Sequence, residues 1–233
     1  GLIKSGLMKI DQMLWTPRAS KPSGWHEAGM NKAPVGILLA AGQSARFGSN
    51  KLLHPVTDDR PMLLVSAEKL AQVLPDSIVV INEQLLPLRS QLEQLGLRVV
   101  VNQQAEQGMG SSIACGVRAC QDASGWLIML ADMPYLKTET IRLLADELEH
   151  GTGEGGADEC SPDESSTGIV APVFDERRGH PVGFSQCYKN ELLALDEDTG
   201  ARLVIQKHQS QLVLVAVDDA GVILDVDQAS DLR

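Results

Sequence analysis

From Val35 onward, short continuous apolar runs alternate regularly with longer amphipathic stretches, and this alternation constrains the fold more than any other feature. VGILLA precedes residues 62–74, SIVVIN precedes 84–95, LRVVV precedes 111–121, and WLIMLA precedes 138–149. A run with no polar alternation needs cover on both faces, and crossover helices between parallel strands supply it. The pattern predicts an α/β fold: a three-layer α/β/α, doubly wound, Rossmann-like domain with a mostly parallel sheet. Ligands of such sheets bind beyond the carboxyl ends of the strands. Further on, GIVAP and PVGF read as strands, 187–195 and 200–206 as helices, and QLVLVAV and VILDV as closing strands, with no internal repeat.

Residues 1–34 keep neither a period of 2 nor one of 3.6 and are rich in Gly, Pro, Ser and Lys. They read as a native extension or an expression remnant, with Met30 as a candidate start, or with Met8, Ile10, Met13, Leu14 and Trp15 on a short packing helix. Residues 35–233 then form a single domain. Within it, 151–168 is dominated by Gly, Ser, Asp and Glu and has little to bury, which predicts a flexible loop.

Charge narrows the partners. With 20 Lys and Arg against 31 Asp and Glu, the net charge of −11 opposes binding of nucleic acid or an anionic membrane through bulk electrostatics. A polyphosphate ligand would need a local site of a few cations, backbone N–H groups or a metal ion. Cys115, Cys120, Cys160 and Cys187 show no CxxC or zinc-finger spacing, so a reducing, cytoplasmic setting is expected. No apolar run approaches the roughly 20 residues of a membrane span.

Such a local site is written into residues 35–53, VGILLAAGQSARFGSNKLL. Ala40, Ala41 and Gly42 allow a ligand close to the strand end, and Gly42 and Gly48 permit the positive φ that lets N–H groups converge on oxygens. Arg46 offers a planar fork to phosphate, and Lys51 a compact charge on a flexible arm. The spacing is neither GxxxxGK[ST] nor GxGxxG, which argues against an ordinary P-loop and a dinucleotide fold alike. Asp132, at the end of an apolar strand, points a carboxylate into the ligand crevice or caps the next helix. Asp225 and Asp227 lie two apart on one face of an extended segment, with Asp231 beyond them. Gly108 and Gly110 precede Ser111 and Ser112 at the start of a helix, where N–H groups and hydroxyls can hold a base or cap the helix.

LLAAGQSARFGSNKLL resembles the LAAGxSxRxGxxK signature of the nucleotidyltransferase superfamily, and in particular of the molybdenum cofactor cytidylyltransferases within the MobA-like NTP transferases. EQGMGSSIACGV, LADMPYL, GHPVGF, TGAR and DVDQASDL are similar to later motifs of that subfamily, in the same order, so the likeness spans about 35–233. The resemblance implies a nucleotide-diphospho-sugar transferase-like fold and the transfer of CMP from CTP to molybdopterin. In that reading Arg46 and Lys51 are catalytic. Leu39, Ala40, Ala41, Gly42, Ser44, Gly48, Gly110, Ser111 and Ser112 bind the nucleotide. Mg²⁺ is held by Asp132 and Asp227, with Asp225 the alternative. Arg178 and His180, in RRGHPVGF, receive the acceptor phosphate or, for His180, pack structurally. Related guanylyltransferases tend to carry glycine where Ala41 stands, which favours CTP over GTP. The partners implied are CTP, the molybdenum cofactor and a client molybdoenzyme. Alternatives are another base or phosphorylated acceptor, a non-catalytic cofactor carrier, and an NAD-dependent oxidoreductase. The last lacks its glycine fingerprint and keeps only Glu83 after the second strand.

Overall fold

The first four strands are β1 (Val35–Ala40), β2 (Ile78–Ile81), β3 (Arg98–Val101) and β4 (Gly125–Leu130). They pair in parallel in the spatial order β3-β2-β1-β4. These are the runs whose residues are apolar on both faces: all four residues of β2 are buried, and so are five of six in β1. The computed structural model describes residues 33–42, 50–56, 59–151, 168–196 and 198–226. The chain divides into two units, Gly1–Met30 and Asn31–Arg233, and every described element belongs to the second.

Beyond β4 the sheet becomes mixed. β5 (Ile169–Phe174), β6 (Arg177–Arg178), β7 (Val182–Ser185) and β8 (Leu212–Ala216) complete eight strands. β7 runs antiparallel to both β4 and β5, while β8 runs parallel to β5. β6 was not expected. It pairs Arg177 with Phe174 across a two-residue turn in which Asp175 and Glu176 have φ of 49° and 60°. Two consecutive left-handed residues match a type I′ hairpin, usually announced by Asn-Gly or Asp-Gly, and Asp-Glu hides that signal.

Alternate residues of each strand feed two cores. Leu38, Ala40, Val79, Leu127 and Met129 pack under α1 (Met62–Val73), α2 (Arg89–Gln94) and α4 (Thr138–Gly151). Ile37, Leu39, Ile78, Trp126 and Phe184 pack under α3 (Met109–Ala119), α5 (Lys189–Leu193) and α6 (Arg202–Lys207). The three expected layers are present.

Two expected elements differ. The helix expected over 84–95 splits into a 3₁₀ turn at Glu83–Leu88 and the short α2, because Pro87 lacks an N–H. VILDV is not a closing strand. Asp219 accepts a hydrogen bond from the Gly221 N–H and starts a 3₁₀ turn over Ala220–Ile223, and the chain then leaves the sheet to cross the end of β4. The expected flexible loop falls almost wholly on residues 152–167, outside the described residues.

Candidate nucleotide-binding site

β1 is the switch point of the sheet: β2 and β3 lie to one side and β4 to the other. Crossovers leaving in opposite directions open a crevice at the strand ends. A cavity of about 500 Å³ occupies it, lined by Ala41, Gly42, Lys51, Ser112, Asp132 and Asp198 among others. Leu39 and Ala40 also line it. Gly42 contributes space and not left-handed backbone. It is absent from the positive-φ glycines, and a Cβ there would meet nothing within 4 Å. Ser44, Arg46 and Gly48 lie outside the described residues.

One wall carries charge. Asn50 accepts from the Leu52 N–H at 3.1 Å and starts the turn that presents Lys51. Lys51 Nζ lies 2.8 Å from Asp132 Oδ2, with the two side chains 17% and 21% exposed. Asp132 Oδ1 is enclosed and has no hydrogen-bond partner. An enclosed carboxylate oxygen without a donor is costly, and a cation would satisfy it, so the donor set fits a divalent ion shared with phosphate oxygens. Among the described residues, no three His, Cys, Asp or Glu side chains form a complete metal cage. Asp227 lies outside them, whereas Asp225 is described and exposed.

Distant residues hold Asp132 in place. Ser66 Oγ donates to the Ala131 carbonyl at 2.9 Å, and Lys69 Nζ donates to the carbonyls of Pro134 and Leu136. Burial pushes the Lys69 pKa down, against the pull of Asp219 and Glu139. The Val226 N–H donates to the Asp132 carbonyl at 2.9 Å, which brings Val226 to the end of β4 with Asp225 just before it. Asp219, 2% exposed, anchors that segment by accepting from the Lys137 N–H, Thr140 Oγ1 and the Gly221 N–H at 2.7–2.9 Å.

The opposite wall joins a local cluster of side chains to two distant segments. Asn102 follows β3 and donates from Nδ2 to Ser111 Oγ at 2.9 Å and Ser112 Oγ at 3.0 Å, while its Oδ1 accepts from the Gln104 N–H. Asn82 follows β2 in the same manner, holding the Ala41 carbonyl at 3.2 Å and the Gln84 N–H at 3.1 Å. Helix α3 begins at Met109, two residues earlier than expected, so Gly110, Ser111 and Ser112 form its first turn. N–H groups of a first turn lack helical partners and serve ligand oxygens well. Ser111 hydrogen-bonds the Gly108 and Gln104 carbonyls, whereas Ser112 lines the cavity. Gly108, at φ 108°, lets the Asp198 backbone close over this wall, since a Cβ would stand 2.5 Å from Asp198 Cα. Asn82, Asn102, Asp198 and Asp219 were missed. The asparagines had a readable signal, an Asn directly after each of two apolar strands.

The expected basic cluster divides. Arg178 is exposed, but His180 is largely enclosed, and its Nδ1 has no hydrogen-bond partner. Burial lowers its pKa; Asp132 and Asp225 oppose that and Arg178 adds to it. An imidazole biased toward neutrality is a hydrogen-bonding group and not a cationic grip. Of the cysteines, Cys115 and Cys120 carry free thiols, and burial pushes Cys120 up to about 11 against Trp126 and Arg98. Cys187 is disulfide-bonded, of which the spacing of the four cysteines gives no sign. No described helix is long and apolar enough to cross a membrane.

A crevice at the β1–β4 switch point, walled by a Lys–Asp pair and by a serine-bearing helix start, defines a nucleotidyltransferase of the doubly wound α/β class. The chain belongs to the MobA-like NTP transferase domain family, whose model matches residues 36–212. It is 28% identical over 207 residues to the purine catabolism protein PucB of Bacillus subtilis, covering 83% of this chain and 91% of that protein. It is 29% identical to the nicotine blue oxidoreductase of Paenarthrobacter nicotinovorans, covering 85% and 94%. A probable molybdenum cofactor guanylyltransferase of Thermococcus gammatolerans is 29% identical over 55% of this chain and 61% of its own. The crystal structure of Rv0371c from Mycobacterium tuberculosis superposes with a TM-score of 0.71 at 26% identity, over 86% of this chain and 95% of that one.

Proposed function

We propose that the protein transfers CMP from CTP to the molybdopterin form of the molybdenum cofactor, with Mg²⁺, giving molybdopterin cytosine dinucleotide and pyrophosphate. The observation that carries this reading is the Lys51–Asp132 pair, with its one unpartnered oxygen, facing Ser112 across the cavity. In the reaction an oxygen of the acceptor phosphate attacks the α-phosphorus, that P–O bond forms, and the bond to pyrophosphate breaks with its electrons leaving on oxygen. No protein nucleophile is needed, because the acceptor phosphate is already ionised. Lys51, with Arg46, offsets the charge that builds on the α-phosphate and the leaving group. Asp132 and Asp227 hold the cation, which when bound draws charge from the phosphate oxygens. Leu39, Ala40, Ala41, Gly42, Ser44 and Gly48 receive the triphosphate and ribose, while Gly110, Ser111 and Ser112 meet the base. Arg178 and the solvent side of His180 take the acceptor phosphate.

Residues 35–233 act as one cytoplasmic nucleotidyltransferase domain behind the 1–34 extension, passing product to a client molybdoenzyme, with no nucleic acid or membrane partner. A similar protein named a guanylyltransferase supports a second reading, the same chemistry with GTP. Pyrophosphate release, measured with Mg²⁺ and molybdenum cofactor against CTP, GTP, ATP and UTP in parallel, separates them. Release with CTP is expected, release with GTP alone overturns the base assignment, and silence with all four overturns the acceptor.

A further inference from the structure

Among the described residues two enclosed side-chain atoms lack any hydrogen-bond partner, Asp132 Oδ1 and His180 Nδ1. β4 and β7 pair antiparallel with Ile128 opposite Val182. The pairing ends there, and residues 222–226 link the two groups: the His180 N–H donates to the Val222 carbonyl at 2.8 Å, and the Val226 N–H donates to the Asp132 carbonyl at 2.9 Å. Alternation along the strand puts both on the α3 side. Val182 and Phe184 belong to the core on that side, whereas a Cβ at Gly179 or Gly183 would run into Val222 or Val170 of the other. Asp132 and His180 thus flank one short segment, and the Asp132 charge acts on the His180 ring.

Buried polar atoms without partners are few in folded proteins and are worth explaining when two occur together. A direct hydrogen bond between the ring and the carboxylate would satisfy both, and the structure does not make it. A third atom between them can. A carboxylate oxygen and an imidazole nitrogen both offer lone pairs, which is what a divalent cation requires. Lys51 occupies the other oxygen of Asp132 and leaves Oδ1 for that role.

We propose that His180, through Nδ1, is a ligand of the divalent cation held at Asp132, and that this nitrogen donor makes the site favour Mn²⁺ over Mg²⁺. Mg²⁺ prefers an all-oxygen octahedron, whereas imidazole suits the later first-row dications better. Ligation at Nδ1 places the ring proton on Nε2. The inference rests on the cation role proposed above for Asp132.

The test uses the full chain, stripped of metal, with Mn²⁺ and no nucleotide. Pulsed EPR of bound Mn²⁺ should show imidazole nitrogen coupling that changes when histidine alone is ¹⁵N-labelled. The coupling should vanish in His180→Gln and persist in His54→Gln. Mn²⁺ affinity should fall about tenfold in His180→Gln, with a smaller change for Mg²⁺, and Asp132→Asn should weaken both ions. Mn²⁺ bound in an Asp132-dependent way without nitrogen coupling, as a bridging water would produce, overturns the His180 assignment and leaves the proposed function intact. Coupling that survives His180→Gln overturns it as well. Mn²⁺ binding indifferent to Asp132→Asn, or no binding, removes the cation role and this inference together.

Discussion

The two walls of the crevice are built in opposite ways. The serine-bearing wall is centred on short-range bonds, with Asn102 reaching serines 9 and 10 residues away in sequence, and Asp198 closes over it at Gly108. The charged wall rests on long-range ones, with Ser66 reaching Ala131 across 65 residues and Asp219 reaching Lys137 across 82. A wall made of local turns can change its ligand contacts without disturbing the fold. One made by four distant segments is tied to the stability of the whole domain, and its carboxylate is held still for chemistry.

The comparison breaks most directly at the charged wall. Lys51→Ala and Asp132→Asn should each lower turnover by about a hundredfold or more, the usual cost of removing an electrostatic catalytic group, while circular dichroism and melting stay near those of the parent protein. Near-normal turnover in either variant would remove that residue from the reaction.

The long-range character is tested next by Asp219→Ala. Three donors would lose their acceptor in a buried position, two of them at the start of α4. Urea unfolding should register a loss of about 3 kcal/mol. A loss confined to turnover, with stability unchanged, would mean that Asp219 tethers the segment after it without supporting the fold.

The same contrast governs what the sequence could reveal. β1 to β4, with Ala41, Gly42 and Lys51 beyond β1, were legible because their signals are periodic or contiguous: apolar runs, then small residues, then Lys51. Asp132 was legible from its place at a strand end. Asp219, Ser66 and Lys69 were not, because each acts on backbone far away in the chain, and nothing near them in sequence marks the partner. VILDV failed as a strand for a related reason. Its composition suits a sheet, but Asp219 and the Asp132 carbonyl capture its backbone first. His180 was visible as a motif residue, yet its enclosure near Asp132 depends on the antiparallel course of β7 and on the 222–226 segment that bonds to both, neither of which the pattern of parallel strands reveals.

On the base wall the effects should be smaller and confined to binding. Asn102→Ala removes the bond to both serine hydroxyls and the acceptor for the Gln104 N–H. The expected result is a rise of about tenfold in KM for the nucleotide with kcat within about twofold, as for loss of one well-placed buried hydrogen-bonding group. An equal fall in kcat would show that this wall also aligns the reacting phosphate, and the two walls would then be less independent than their construction suggests.

The smallest change is Ala41→Gly. Ala41 is 1% exposed, lies on the α3 side of β1, and lines the cavity, with its carbonyl fixed by Asn82. Removing its methyl leaves those bonds in place and adds room of one carbon. A single methyl or methylene in a pocket discriminates by about 1–3 kcal/mol at most. The expected outcome is a several-fold shift of kcat/KM from CTP toward GTP, with pyrophosphate release as the readout and a melting temperature lower by about 2–4 °C from the lost methyl and the freer unfolded chain. An unchanged ratio would transfer base choice to the helix start at Ser112 and the Asp198 loop, where contacts with the base edge and not the room beside β1 would decide between a pyrimidine and a purine.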